Sequence, residues 1–238
     1  MTWSIVALDS KTGAVAAAVT TKAFAAGARC PHVRAGVGAV CSQSMTNPYL
    51  GPAILDGLAR GLDAETALKS VMVSDAGRGI RQVHVVDIKG CVAAWTGENC
   101  VTWCGHKLGT GYSVAGNMLN PGTVDATFKA FGELASLPMP ERMITALDAG
   151  EAAGGDKRGR QSAGLLLATT EDFPDINLRV DDHSAPLTEL RRLLGVWREQ
   201  SEPRRHWFPS KANPSGNTDL DAMEAAWAKA GLDLRFRR

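Results

Sequence analysis

A chain of 238 residues, 45% hydrophobic and 21% charged, can fill one full core with length left for an appendage, which excludes a disordered chain. Its formal net charge of +1 gives no electrostatic footprint for nucleic acid or an anionic membrane surface. No apolar run approaches the roughly 20 residues of a membrane helix, and no secretion signal opens the chain, so a cytoplasmic protein is expected.

Ser4 to Leu8 reads as a short apolar strand, and the turn stretch Asp9 to Gly13 leads into a second strand, Ala14 to Thr21, closing a hairpin. A glycine- and alanine-rich connection, Lys22 to Pro31, precedes Val33 to Ser42, itself a hairpin broken at Gly36 and Gly38. Asn47-Pro48 opens a helical pattern carrying Ile54, Leu55, Leu58 and Leu62, and Asp63 is a good N-cap for a second helix. Arg81 to Ile88 and Cys91 to Thr96 form another hairpin, and Val101 to Cys104 and Tyr112 to Leu119 add further strand. Two helices follow, near Val124 to Leu134 and Pro140 to Ala153, then strands Ala163 to Thr169 and Ile176 to Val180, and a helix from Pro186 to Glu199.

Helix pairs set between blocks of hairpin strands do not suit a doubly wound parallel sheet. They suit an α+β fold, a four-layer αββα sandwich of two antiparallel sheets flanked by helix pairs. Residues 1–200 make this domain. Residues 201–238 form a C-terminal tail with one amphipathic helix, Asp219 to Gly231, and a basic end, Arg235-Phe236-Arg237-Arg238.

Five cysteines, an odd count, cannot all pair within the chain, which fits a reducing compartment. Cys100, Cys104 and His106 lie close in sequence, but the second Cys pair of a structural zinc site is missing, and no histidine spacing suggests a metal centre or a Ser-His-Asp relay. Neither a metal nor a cofactor is expected.

The N-terminus carries the chemistry. Thr2 follows the initiator Met, and small second residues permit removal of that Met. The product has an amine and a hydroxyl on one residue. With a reference pKa of roughly 7.7–8.0, the amine is partly neutral at pH 7 and can take the hydroxyl proton, activating a poor nucleophile. Thr at position 2 is also common with no such role.

Thr2-Trp3-Ser4-Ile5-Val6-Ala7 resembles the opening of the bacterial family known as domain of unknown function 1028. So do Gln43-Ser44-Met45-Thr46-Asn47-Pro48 with Gly51-Pro52, then Gly116-Asn117-Met118-Leu119, and Ala153-Gly154-Gly155-Asp156 with Arg158-Gly159-Arg160-Gln161-Ser162-Ala163. In order, these span most of the first 200 residues. The resemblance implies an N-terminal-nucleophile (Ntn) hydrolase-like fold, amide hydrolysis with Thr2 as nucleophile, and self-association into a homo-oligomer. It leaves the substrate open.

By analogy with proteasome-like members of that superfamily, Arg34, or else Lys22, is the basic residue beside the nucleophile; Arg34 equally reads as a surface strand residue. Gln43, Thr46 and Asn47 fall at a strand-to-helix junction where amides can form an oxyanion pocket, although Asn47 serves equally as a turn residue before Pro48. Asn117 at a strand end either binds a ligand or satisfies local backbone. Asp156 and Arg158 lie in a glycine-flanked loop suited to a carboxylate or phosphate, and Gly154-Gly155 reads equally as a helix cap. The catalytic set is thus Thr2, Arg34, Gln43 and Asn47, and the substrate-binding set Lys22, Thr46, Asn117, Asp156 and Arg158. A non-catalytic scaffold binding small molecules is the competing function.

Overall fold

A computed structural model describes residues 2–231; Met1 and the basic end, Arg235-Phe236-Arg237-Arg238, lie outside the described residues. The chain divides into two compact units, Met1–Arg191 and Arg192–Arg238. The division falls inside the helix Pro186–Gln200.

The first unit begins with strands β1 (Thr2–Leu8) and β2 (Val15–Thr21), then β3 (Pro31–Arg34) and β4 (Gly38–Ser44), followed by helices α1 (Leu50–Ala59) and α2 (Ala64–Ser74). Strands β5 (Arg81–Asp87), β6 (Val92–Thr96), β7 (Gly105–Gly109) and β8 (Tyr112–Asn117) come next. Helices α3 (Thr123–Glu133) and α4 (Met139–Ala152), strands β9 (Ser162–Ala168) and β10 (Ile176–Val180), and the start of α5 (Pro186–Gln200) complete the unit. One sheet runs β10-β9-β2-β1-β8-β7 and the other β3-β4-β5-β6, with every pairing antiparallel. The sheets face each other through β1 and β2 against β4 and β8 against β5; α1 and α2 cover the four-stranded sheet, α3 and α4 the six-stranded one. This is the four-layer αββα sandwich.

Local chemistry explains the elements. Asp9 turns the β1–β2 hairpin by accepting hydrogen bonds from Lys11 N at 2.9 Å and Thr12 Oγ1 at 2.8 Å, and Gly13 supplies the positive φ of 74° that closes it. Asp63 caps α2, accepting from Thr66 N at 2.8 Å. β2 is buried along its whole length, because a central strand is covered by a sheet on one face and a helix on the other.

The alternation of β1 decides what reaches the inter-sheet space. Val6 packs with Ala39, Cys41 and Val86 of the opposite sheet, so Thr2 and Ser4, on the same face, also point between the sheets. Trp3 and Ile5 face the helices, where each contributes about 1.5–3 kcal/mol by burial. Gly150 of α4 permits that contact, since a Cβ there would lie 2.1 Å from Thr127 Oγ1 and 2.9 Å from Trp3 Nε1.

One element differs from expectation. Residues 101–104 are not strand; the edge strand is β7, Gly105–Gly109. An edge strand needs only one paired neighbour and little apolar surface, so its Gly-His-Lys-Leu-Gly sequence carries no strand signature. The apolar residues before it do other work: Val101 lines a cleft, and Trp103 lies over Gly105, whose Cβ would stand 3.0 Å from the indole.

In the second unit, a 3-10 segment, Glu202–Trp207, is followed by helix α6 (Leu220–Lys229), capped by Asp219, whose Oδ1 accepts from Ala222 N at 3.0 Å. The Arg204 guanidinium stands 5.7 Å from the centre of the Trp227 ring. Among the described residues no helix is long and apolar enough to cross a membrane.

Gly150→Ala should lower stability by about 2 kcal/mol through overpacking at Trp3 and Thr127, read as a reduced urea midpoint with an unchanged m-value.

Candidate active site

At one end of the sandwich a cleft of about 690 Å³, within the usual size of a small-molecule site, opens beside the first residue of β1. Thr2 lines it and is 8% exposed. Thr21 sits directly opposite Thr2 in the β1–β2 ladder, and the Thr2 hydroxyl donates to Thr21 Oγ1 at 3.0 Å. Asn117 of β8 is paired with Thr2 on the other side. Thr2 is therefore held between two neighbouring strands with its side chain aimed along the inter-sheet space.

Behind Thr2 runs a buried chain of polar side chains that crosses from sheet to sheet. Gln82 is its pivot: Nε2 lies 2.8 Å from Gly116 O and 3.1 Å from Gly105 O. A carbonyl can only accept, so these two contacts fix Nε2 as the donor and Oε1 as the acceptor. Gln82 Oε1 then accepts from Gln43 Nε2 at 2.8 Å and from Asn117 Nδ2 at 3.0 Å. Gln43 Oε1 is thereby turned toward the Ser4 hydroxyl, which donates to it at 2.7 Å. Having given its proton to Gln43, Ser4 must accept from His84 Nε2–H at 2.7 Å. The far nitrogen of His84, Nδ1, faces the Ser113 hydroxyl at 2.7 Å. Two backbone carbonyls thus set the sense of the whole chain.

A cysteine also borders the cleft. Cys30 lies 3.7 Å from Gln43 Oε1, and the adjacent Cys41 thiol together with burial pushes its pKa well up. With its pKa raised, Cys30 presents a neutral thiol to the cleft.

Backbone strain collects at the same place. Among the described residues, three that are not glycine have positive φ: Ala25 at 53°, Ser44 at 68° and Met118 at 59°. Ser44 and Met118 line the cleft, and Ala25 lies between the lining residues Phe24 and Ala26. Such conformations cost about 1–3 kcal/mol each and concentrate where geometry serves function.

Residues 2–190 match the family of unknown function DUF1028. The chain belongs to that family. Among solved structures it is similar to protein SPO2555 from Silicibacter pomeroyi, a DUF1028 structure, with 28% identity, a TM-score of 0.85, and coverage of 92% of this chain and 96% of that one. Anbu (ancestral beta-subunit) from Yersinia bercovieri aligns over 82% of this chain and 94% of that one at 12% identity and a TM-score of 0.37, a likeness too low to bear on this chain. No curated protein matches the chain.

Within this DUF1028 chain the cleft brings together Thr2, Gln43, Thr46, Asn117 and Arg158. Four other expected residues stand elsewhere. Arg34 is no neighbour of Thr2: its Nη2 donates to Asp56 Oδ1 at 2.8 Å in a half-exposed ion pair. The cause is distance, because Cys30 borders the cleft and β3 carries Arg34 four residues farther, about 13 Å along an extended chain. Lys22 is exposed, since Thr21 faces the inter-sheet space and the next residue must point away. Asn47 is a turn residue, its Oδ1 accepting from Tyr49 N at 3.1 Å before α1 begins at Leu50. Asp156 is buried and supports the cleft from behind, accepting from Lys22 N at 2.8 Å and Arg158 N at 2.9 Å.

Sequence reasoning missed Thr21, Ser4, Gln82, His84 and Ser113. Parity was the available signal: Gln82 and His84 alternate with Val83 and Val85 in β5, as Thr2 and Ser4 do with Trp3 and Ile5 in β1. Among the described residues no group of three or more His, Cys, Asp or Glu is placed to hold a metal ion.

Gln82→Leu would strand Gly105 O, Gly116 O and the amides of Gln43 and Asn117. It should destabilise the fold by about 3 kcal/mol in denaturant unfolding.

Proposed function

We propose that this protein is a hydrolase of the N-terminal-nucleophile type, cleaving the C–N bond of a small amide, peptide-like or acyl-amino compound with Thr2. One observation carries the reading. The hydroxyl of Thr2 sits at the first position of a central strand, nearly buried, at the mouth of a cleft between two sheets. The reaction requires that everything N-terminal to Thr2, Met1 included, be removed, so that the residue carries its own base.

The neutral amine takes the proton from Oγ1 as the oxygen attacks the substrate carbonyl. Thr21, now holding the hydrogen bond to Oγ1 from the other side, can rotate its hydroxyl to donate and steady the oxygen. Asn117 Nδ2 commits one hydrogen to Gln82 and has a second for the oxyanion that develops at the carbonyl. As the C–N bond breaks, the ammonium returns its proton to the departing amine, leaving an ester on Thr2. A water, deprotonated by the same amine, attacks that ester and releases the acid. Atoms and protons balance with no further reactant. Gln43 acts by positioning: its amide is taken up by Gln82, Ser4 and Cys30, holding the wall behind the nucleophile.

Intact-mass measurement on an active preparation should show the chain starting at Thr2; activity with Met1 retained in every molecule overturns the mechanism. Thr2→Ala should lose about 10³-fold or more in kcat, whereas Thr2→Ser should keep activity within about tenfold. Cleavage is assayed as amine release from a panel of acyl-amino compounds. If processed protein binds members of the panel and cleaves none, the scaffold reading replaces this one. Because the amine must be neutral to act as base, kcat/KM should rise with pH through its pKa, about 8 for a free α-amino group, and fall away below it. A profile flat from pH 6 to 9 would remove the amine from the mechanism.

A further inference from the structure

The walls of the cleft are of two kinds. Phe24, Met45, Ile80, Val101 and Met118 make an apolar surface, and Phe24 and Met45 are each 62% exposed. Large apolar side chains left this open beside a formed cavity are suited to an apolar ligand group. Charge is one-sided: two arginines, Arg29 and Arg158, line the cleft, and no Asp or Glu is among its lining residues. Arg158 is answered from behind by Asp156, whose side chain is fully buried 3.2 Å away. Arg29 forms no ion pair among the described residues.

The main chain at Arg29 is held in place. Its N–H donates to Ala26 O at 3.1 Å, and its carbonyl lies 3.2 Å from His32 Nε2. The loop before it is pinned by Ser162, which donates to Ala23 O at 2.6 Å and accepts from Ala26 N at 3.1 Å. The strained Ala25 belongs to the same loop. An exposed arginine lining a largely apolar cleft, with no ion pair among the described residues, fits a monoanion with a planar pair of acceptor oxygens.

We propose that the cleft selects a small amide bearing both a free carboxylate and an apolar group, the carboxylate bound by Arg29. This rests on the reading of the cleft as the substrate site and adds the substrate class. Arg29 determines specificity through charge, and the apolar walls take the hydrocarbon part. Phosphonates share the anion chemistry, but a dianion asks for more positive charge than Arg29 leaves uncompensated.

The test uses the full-length Thr2→Ala variant, in which binding is measured without turnover by titration calorimetry. The probes are acetyl, hexanoyl and benzoyl derivatives of glycine, leucine and phenylalanine, each as the free acid, as the primary amide and as the aminophosphonate analogue. Free acids of the leucine and phenylalanine series should bind about tenfold or more tighter than their amides, as a charge-assisted bidentate contact requires. Introducing Arg29→Gln should erase that difference by weakening the acids alone, with the melting temperature checked to exclude unfolding. Acids that bind no better than amides, an Arg29→Gln variant that keeps the preference, phosphonates that bind tighter than carboxylates, or no binding by any acid each overturn the proposal. The two readings fail separately. Charge-selective binding with no cleavage by protein starting at Thr2 sinks the hydrolase and leaves the carboxylate site standing. Cleavage indifferent to charge does the reverse.

Discussion

The arrangement depends on the hydrogen-bond chain that starts at Gly105 O and Gly116 O and passes through Gln82. Two sheets packed by apolar side chains alone can slide or repack at little cost, because hydrophobic contact is not directional. Gln82 and His84 are fully buried, and each reaches across to the opposite sheet, to Asn117 and to Ser4 and Ser113. A shift of one residue in β5 would turn both side chains out of the seam and leave several buried polar groups unpaired, each costing about 1–3 kcal/mol. The polar seam makes one packing of the sheets far better than its neighbours. It also places Gln43 and Asn117 beside Thr2 in fixed orientation.

The cleft follows from where that seam stops. Toward the other end of β1, Val6 meets Ala39, Cys41 and Val86, and the sheets close on each other. Toward Thr2 the inward residues are polar, and the covering segments leave the sheets through strained turns at Ala25, Ser44 and Met118. The opening lies among these turns, with Ser44 and Met118 in its lining. Its one-sided charge arises similarly, because Asp156 is spent on main-chain N–H groups and on Arg158 behind the wall.

Much of the fold was legible in the sequence. The hairpin of β1 and β2, the helix pair after four strands and the second helix pair follow from turn residues, capping and helical spacing, all local effects. The edge strand β7 was not legible, because a strand with one neighbour needs neither alternation nor large side chains. Of the candidate site, Thr2, Gln43, Thr46, Asn117 and Arg158 were named from sequence and meet in the cleft. Lys22 and Arg34 were chosen by closeness along the chain and analogy, and strand parity and strand length carry them elsewhere. Gln82, His84 and Ser113 escaped notice because a polar residue beside apolar ones in a strand looks like any other surface position until the opposing sheet is known.

By itself, the sequence determined the order of strands and helices, and the face of β1 that Thr2 and Ser4 share. These are set within a few residues, by periodicity and by the preferences of Gly, Pro and Asp for particular backbone angles. Only the tertiary structure decided which side chains stand across from Thr2, that Arg29 lines the cleft with no ion pair among the described residues, and that Arg34 is spent at the surface on Asp56. Partners brought together across sheets are separated by tens of residues, and no local rule of chain geometry encodes which of them will meet.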